Sequence, residues 1–271
     1  MSEGSETRKE NAMRFLRWCG VVFVAIGFVA SSARAAIDPE SAVAVFTFDE
    51  GKGGDALDST ANKWVGTITG AKWVDGKFGK ALEFDGKSWV STPDADPLKV
   101  GEKLTMMAYF YAKDIGDWRQ LIAKSDEYLL RIDPPGEGNK MSSFIKVGGN
   151  WEPRASAGVP PLKQWIHFAA TYDAKAKGDA DHIKLYVDGV RNGQSTRPGK
   201  APFTANALEI GRWGGGSYFV GIIDDVAIFN TVLEEDDILA IATNGIAKTM
   251  KGALAVDPKA KMATVWGDLK R

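Results

Sequence analysis

An all-β sandwich of two antiparallel sheets is the fold class this sequence predicts, and three observations predict it. Short runs of β-forming residues recur from residue 43 to about residue 230, separated by Gly, Asp, Asn and Pro at intervals of roughly 8–12 residues. Several runs alternate apolar and polar residues with period two, the mark of strands that bury one face against a second layer. Thirty glycines, nine tryptophans and thirteen phenylalanines in 271 residues supply tight turns and aromatic strand positions rather than long helices.

The strands are read in chain order as residues 43–48, 81–84, 104–111, 120–124, 128–132, 142–147, 165–172, 183–187, 208–210 and 219–229. Ile183, Leu185 and Val187 face one way, with Lys184, Tyr186 and Asp188 opposite. Asp188-Gly189 predicts a two-residue hairpin, because both central positions of the favoured turn want positive φ, and Asp85-Gly86 predicts a second. One helix is expected near the end. Thr231 and Glu234 have capping-box spacing, acids fill the first turn through Asp237, Ile238, Leu239, Ile241 and Ala242 form an apolar stripe, and Asn244-Gly245 stops it.

Residues 1–35 read as a secretion signal: Arg14 and Arg17 precede an uncharged apolar run over residues 18–30, and Ala33-Arg34-Ala35 offers a cleavage site. The competing reading, a membrane anchor, asks for about 20 apolar residues, more than this run supplies. Met13 stands directly before the basic residues as an alternative start. Cleavage after Ala35 removes five basic and three acidic residues, taking the net charge from −1 to −3, and removes Cys19, the only cysteine. The mature chain would then have no disulfide, no thiol nucleophile and no thiolate metal site. Near-balanced charge gives no attraction to nucleic acid. The expected organisation is a signal at 1–35, a sandwich at 36–246 and a tail at 247–271, with an extracellular or periplasmic destination and no membrane segment after cleavage.

Phe46-Thr47-Phe48-Asp49-Glu50-Gly51, Asp58-Ser59-Thr60-Ala61-Asn62 and residues 79–86 resemble the opening of laminin G-like domains, jelly rolls of the concanavalin A-like lectin and glucanase superfamily. Residues 165–173 resemble the central strand of that family, residues 185–189 its hairpin, and Ile210-Gly211-Arg212 with residues 221–226 its closing strands. The resemblance spans residues 42–246 and implies a jelly-roll sandwich with a binding function. Relatives place Ser before the acidic run of the helix, where this chain has Glu234, which would leave the cap to Thr231.

The superfamily also holds glycoside hydrolases, whose chemistry needs two carboxyl groups about 5–10 Å apart across the sugar bond. No E-x-D-x-x-E pattern occurs, and Asp126-Glu127 and Asp224-Asp225, being adjacent, would point to opposite faces of a strand. His167 and His182 lack a Ser or Cys partner motif and fit no zinc spacing, so a structural role is expected for both.

The Asp58–Asn62 loop carries the oxygen-rich side chains that calcium prefers. The resemblance implies a structural ion near this loop and the closing strand, making Asp49, Asp58, Asn62 and Asp224 the candidate ligands; simple Asx turns at Asp58 and Asn62 account for the same residues. Indole rings flanked by glycine make stacking platforms for the C–H face of a sugar. Trp118, the Asn150-Trp151 pair, and Arg212 with Trp213 and Tyr218 around Gly214–Gly216 are the candidates, against the alternative that these tryptophans cover sheet edges. The leading expectation is a secreted, non-catalytic recognition domain for a glycan or an extracellular protein. A glycan-cleaving hydrolase or lyase on the same scaffold and a protein-adhesion module stand as alternatives, and oligomeric state is left open.

Overall fold

The computed structural model describes residues 37–178 and 181–250. The expected signal, Cys19, and the tail beyond Met250 lie outside the described residues. Two antiparallel sheets face each other, as the period-two runs require. The first has the order Val190–Ser195 (β14), Ile183–Val187 (β13), Trp165–Asp173 (β12), Lys103–Ala112 (β7), Val220–Phe229 (β16), Lys80–Asp85 (β5) and Lys72–Asp75 (β4), and Ala42–Phe46 (β1) pairs the C-terminal half of β16. The second runs Ala155–Ser156 (β11), Met141–Ile145 (β10), Tyr128–Ile132 (β9), Arg119–Lys124 (β8), Leu208–Ile210 (β15), Trp89–Thr92 (β6), Val65–Thr69 (β3) and Asp55–Leu57 (β2). This is the all-β, two-sheet jelly-roll sandwich the sequence predicts.

The core lies between the sheets, where Phe46, Phe84, Phe110, Tyr128, Phe168 and Phe219 are among the side chains lost from solvent. Each buried aromatic or aliphatic side chain contributes about 1.5–3 kcal/mol. With no cysteine among the described residues, this packing carries the stability. Asp188 and Gly189 both have positive φ, and Val187 pairs with Val190, so the predicted hairpin forms between β13 and β14. Asp85-Gly86 does something else. Its flanking strands belong to different sheets, and the Gly86 N–H donates to the Phe219 carbonyl, so this turn carries the chain across the sandwich instead of closing a hairpin.

The helix spans Glu235–Asn244 (α1), is capped by Glu234 without a side-chain bond, and ends at Gly245, φ 82°. Thr231 does not cap it. Its carbonyl accepts from Thr105 Oγ1, which in turn accepts from Leu233 N, holding residues 231–233 against β7 and moving the helix start to Glu235. A second short helix, Ile246–Thr249 (α2), follows. Ile238, Ile241, Ile246 and Met250 pack with Val45, Met107, Ala169 and Phe229 on the outer face of the first sheet, so the packed domain continues past the expected boundary at 246. Leu239, read as part of the apolar stripe, turns outward. Among the described residues, no helix is long and apolar enough to cross a membrane.

Candidate functional site

The outer face of the second sheet differs from the helix-covered one. Cross-strand register places Phe144, Leu129, Ala123, Glu209, Ser91, Thr67 and Asp55 in one transverse row over seven strands, apolar at the β10 side and polar from β15 onward. Ala123, Leu129 and Phe144 form a small buried cluster, and half-buried Trp151 and Trp213 lie over it. Trp151 meets Phe144 at 6.5 Å and Trp213 at 6.1 Å, both edge to face at 84°.

Two glycine hairpins deliver these tryptophans. Val147 and Asn150 exchange backbone hydrogen bonds around Gly148 and Gly149, and Trp213 and Gly216 do so around Gly214 and Gly215. All four central glycines have positive φ, and a Cβ on any of them would meet nothing within 4 Å. Backbone conformation, not crowding, therefore requires glycine here. Asn150 turns its side-chain amide to the Gly148 carbonyl, 3.4 Å away, within its own hairpin.

Charged side chains fix the surroundings. Glu209 accepts from Arg212 Nε at 3.0 Å, from Arg212 Nη2, and from Gly214 N at 3.2 Å, so one sheet carboxylate holds both the guanidinium and the second hairpin. Arg212 lies 3.9 Å from the centroid of the Trp89 ring, and Trp89 neighbours Tyr218 at 6.2 Å. Arg131 and Arg154 sit over the Phe144 ring while pairing with Asp133 and Glu137. Arg197, nearly buried, donates to the carbonyls of Ile145, Val147, Asn150 and Glu152, clamping the loop that carries Trp151.

The structure thus gathers Trp151, Asn150, Arg212, Trp213 and Tyr218 on one face. Trp118 stands apart, 42% exposed in the β7–β8 loop, although the next residue, Arg119, bonds the Tyr218 carbonyl. Trp89, Phe144, Arg131, Arg154, Glu209 and Arg197 are absent from the sequence expectations. Trp89 sits in Ser88-Trp89-Val90-Ser91-Thr92, which shows no period-two pattern, and Arg197, whose partners are all backbone carbonyls, gave no local signal either.

The expected calcium ligands fall into two hydrogen-bonded groups. Asp58 accepts from Val45 N and Thr60 N through Oδ1, and from Thr60 Oγ1 and Trp64 N through Oδ2, which fills a carboxylate's acceptor capacity; Asn62 donates to the Val43 carbonyl. This loop fastens to β1, and its carboxylate is engaged by four protein donors. Asp49 and Asp224 instead line the turn after β4: Asp49 accepts from Lys80 N and Asp224 from Phe78 N, and a Cβ at Gly76 would come within 2.6 Å of Asp224. Among the described residues, no group of three or more His, Cys, Asp or Glu side chains is placed to hold a metal.

The adjacent acids also differ from expectation. A β-bulge after Asp224, with Asp225 at φ 40°, breaks the alternation, so both carboxylates are buried: Asp224 against the Phe78 N–H and Asp225 against the Ile246 N–H. Burial, reinforced by the neighbouring carboxylates, pushes Asp224 up to about 7 and Asp225 to about 8. Asp126 and Glu127 occupy the β8–β9 turn, where Lys146 and Lys124 bind them. His167 is buried with neither ring nitrogen hydrogen-bonded, and burial lowers it to about 3.

Residues 84–239, more than half the chain, match the laminin G-type family described as the concanavalin A-like lectin/glucanases superfamily. The chain belongs to this superfamily. Among solved structures, domain 4 of AbnA, an extracellular GH43 arabinanase from Geobacillus stearothermophilus in complex with arabinotriose, is 24% identical, covers 74% of this chain and 98% of that one, and superposes with a TM-score of 0.58. The binding domain of botulinum neurotoxin DC in complex with SialylT is 11% identical over 76% of this chain and 52% of the toxin domain, TM-score 0.58. The binding domain of Paraclostridial Mosquitocidal Protein 1 is 12% identical over 75% and 52%, TM-score 0.57. Likeness at these identities establishes the fold alone, and this chain spans about half of each toxin domain. No curated protein matches the sequence.

Proposed function

We propose that this protein is an exported, non-catalytic glycan-binding module whose site is the outer face of the second sheet. The observation that carries the reading is the cluster of Phe144, Trp151 and Trp213 beside Trp89 and Tyr218, held on the sheet face opposite to the one that α1 covers. Half-buried indoles leave part of each ring to stack on the apolar face of a sugar, while Arg212 and Asn150 offer donors to hydroxyls. Support by analogy comes from the superfamily and from the arabinanase domain, whose structure contains arabinotriose.

The reading is tested on a glycan array that includes arabinotriose and sialylated glycans. Trp213→Ala is expected to weaken the strongest binding about tenfold or more, whereas Trp118→Ala should change it less than about threefold. Equal losses in both variants would move the site to the β7–β8 loop. Silence across the array, with retention of an extracellular protein, would replace the glycan by a protein ligand.

We also propose that any structural calcium in this fold sits at Asp49 and Asp224, which share one turn, and not at the Asp58–Asn62 loop. Carboxylate and carbonyl oxygens are the donors calcium takes. Removing the ion with a chelator should lower the melting temperature of the native chain and leave Asp49→Asn unaffected. An unchanged melting temperature for the native chain sinks this proposal.

A further inference from the structure

We propose that the aromatic face of the second sheet takes a single, soluble, uncharged glycan chain, and neither a polyanionic polysaccharide nor the flat surface of a crystalline one. This rests on the glycan-binding reading above and narrows it to a ligand class.

The first ground is the ring geometry. A crystalline polysaccharide presents a plane, and a plane is gripped by rings that lie flush and parallel. Here the two half-buried indoles stand at right angles, 84° between Trp151 and Trp213, Trp151 is set at the same angle to the buried Phe144 ring beneath it, and Trp89 and Tyr218 are inclined at 52°. Rings set this way meet a chain that turns from one sugar to the next and offers different faces in succession. The two glycine hairpins reinforce the point. Their central glycines border open space, which leaves room beside the rings for a flexible chain to approach the backbone.

The second ground is charge. Arg197 is engaged by backbone carbonyls, and each basic side chain that lies over one of the rings has a carboxylate partner: Arg131 has Asp133 and Glu137, Arg154 has Glu137 and Glu152, Arg212 has Glu209, and Lys146 has Asp126. The acids outnumber the bases in that set. A uronate or sulfate chain would have to displace these partners and then face their carboxylates, which costs more than the contact returns. Guanidiniums tied in place by acids still present outward N–H groups to neutral hydroxyls. The third ground is extent. The row from Phe144 on β10 to Ser91 on β6 crosses four strand spacings, about 19 Å, which accommodates several sugar rings of one chain.

The test uses native gel electrophoresis of the full chain in the presence of soluble galactomannan and mixed-linkage β-glucan, of heparin and polygalacturonate, and sedimentation with crystalline cellulose and chitin. Expected is retardation by at least one neutral soluble polymer, changing less than about threefold between roughly 0.1 M and 1 M salt. Trp151→Ala and Trp213→Ala should each weaken it about tenfold, and Trp213→Phe, which keeps a ring, less than about threefold. Tighter retention by heparin or polygalacturonate that disappears in salt, or adsorption to cellulose or chitin without retention by soluble polymers, would overturn this inference while leaving glycan binding in place. Retention by none of these materials overturns the glycan-binding reading itself.

Discussion

His167 occupies a strand position that α1 covers, beside Tyr109 at 4.7 Å, and its two ring nitrogens find no partner. Both Tyr109, whose hydroxyl donates to the Ile241 carbonyl, and Asp188, which accepts from the His167 backbone N–H, are otherwise engaged. The imidazole is therefore held neutral by burial, at about 3 against an ordinary 6.5. A depressed basic group favours the folded state only while it is neutral in the unfolded chain too, so its contribution is complete above pH 6.5 and is lost as pH falls from 6.5 towards 3. Asp224 and Asp225, raised by burial, act in the opposite direction: their contribution is complete below about 4 and is lost as pH rises through 7 to 8. Denaturant melts of the native chain and His167→Phe across this range separate the two. The stability difference should tilt towards the variant by about 1.4 kcal/mol per pH unit below 6.5; parallel curves would mean that His167 is solvated. At this scale the sequence exposed the glycine-flanked tryptophans and the unlikelihood of a histidine centre. It concealed Trp89, Phe144 and Arg197, because their importance comes from register and from carbonyls brought in from 45 to 52 residues away.

The loop between β10 and β11 illustrates how an element is held without regular structure. Its shape depends on the Val147–Asn150 hairpin and on the Arg197 guanidinium, which donates to four carbonyls, two of them, Val147 and Asn150, shared with the hairpin's own hydrogen bonds. Burial lowers the pKa of Arg197, yet a guanidinium keeps its charge in proteins and its fork matches several acceptors at once. Replacing Arg197 with Met keeps the apolar stem and deletes every donor. Stability should fall by about 2–4 kcal/mol, and glycan affinity should fall with it, because Trp151 loses its fixed position. Arg197→Lys should restore part of the stability but little of the affinity, since one ammonium cannot span four carbonyls. Binding that stays native in Arg197→Met would separate the clamp from the site. Elements were legible in proportion to their burial. The two strands most deeply set in the first sheet, β7 and β12, were read within one residue at either end, while β2, β3, β4 and β11, short or polar edge and near-edge strands, went unread, as did β6, an interior strand of four residues whose sequence does not alternate. A strand exposed on one edge needs little apolar pattern, and that leaves little for sequence reasoning to find.

At the scale of the whole molecule, alternation and turn spacing disclosed two sheets but could not say which outer face would stay open. That depends on where a ten-residue helix lands, a tertiary outcome with no local signature. Its landing on the first sheet makes the molecule two-sided: Ile238 and Ile241 seal one outer face, and Trp151 and Trp213 lie on the other, with the core between them. Residues on opposite outer faces share no packing partner in these clusters, so their effects should add. Ile241→Ala removes a fully buried side chain and should cost about 2–5 kcal/mol, read as a lower melting temperature. Measured well below that temperature, its glycan affinity should match the native chain within about twofold, while Trp213→Ala should show the reverse, weak binding with small loss of stability. The double variant should carry both deficits and nothing more. An affinity that fell with Ile241→Ala in a still-folded protein would mean that the two faces communicate through the core, and the helix would then belong to the site and not only to the scaffold.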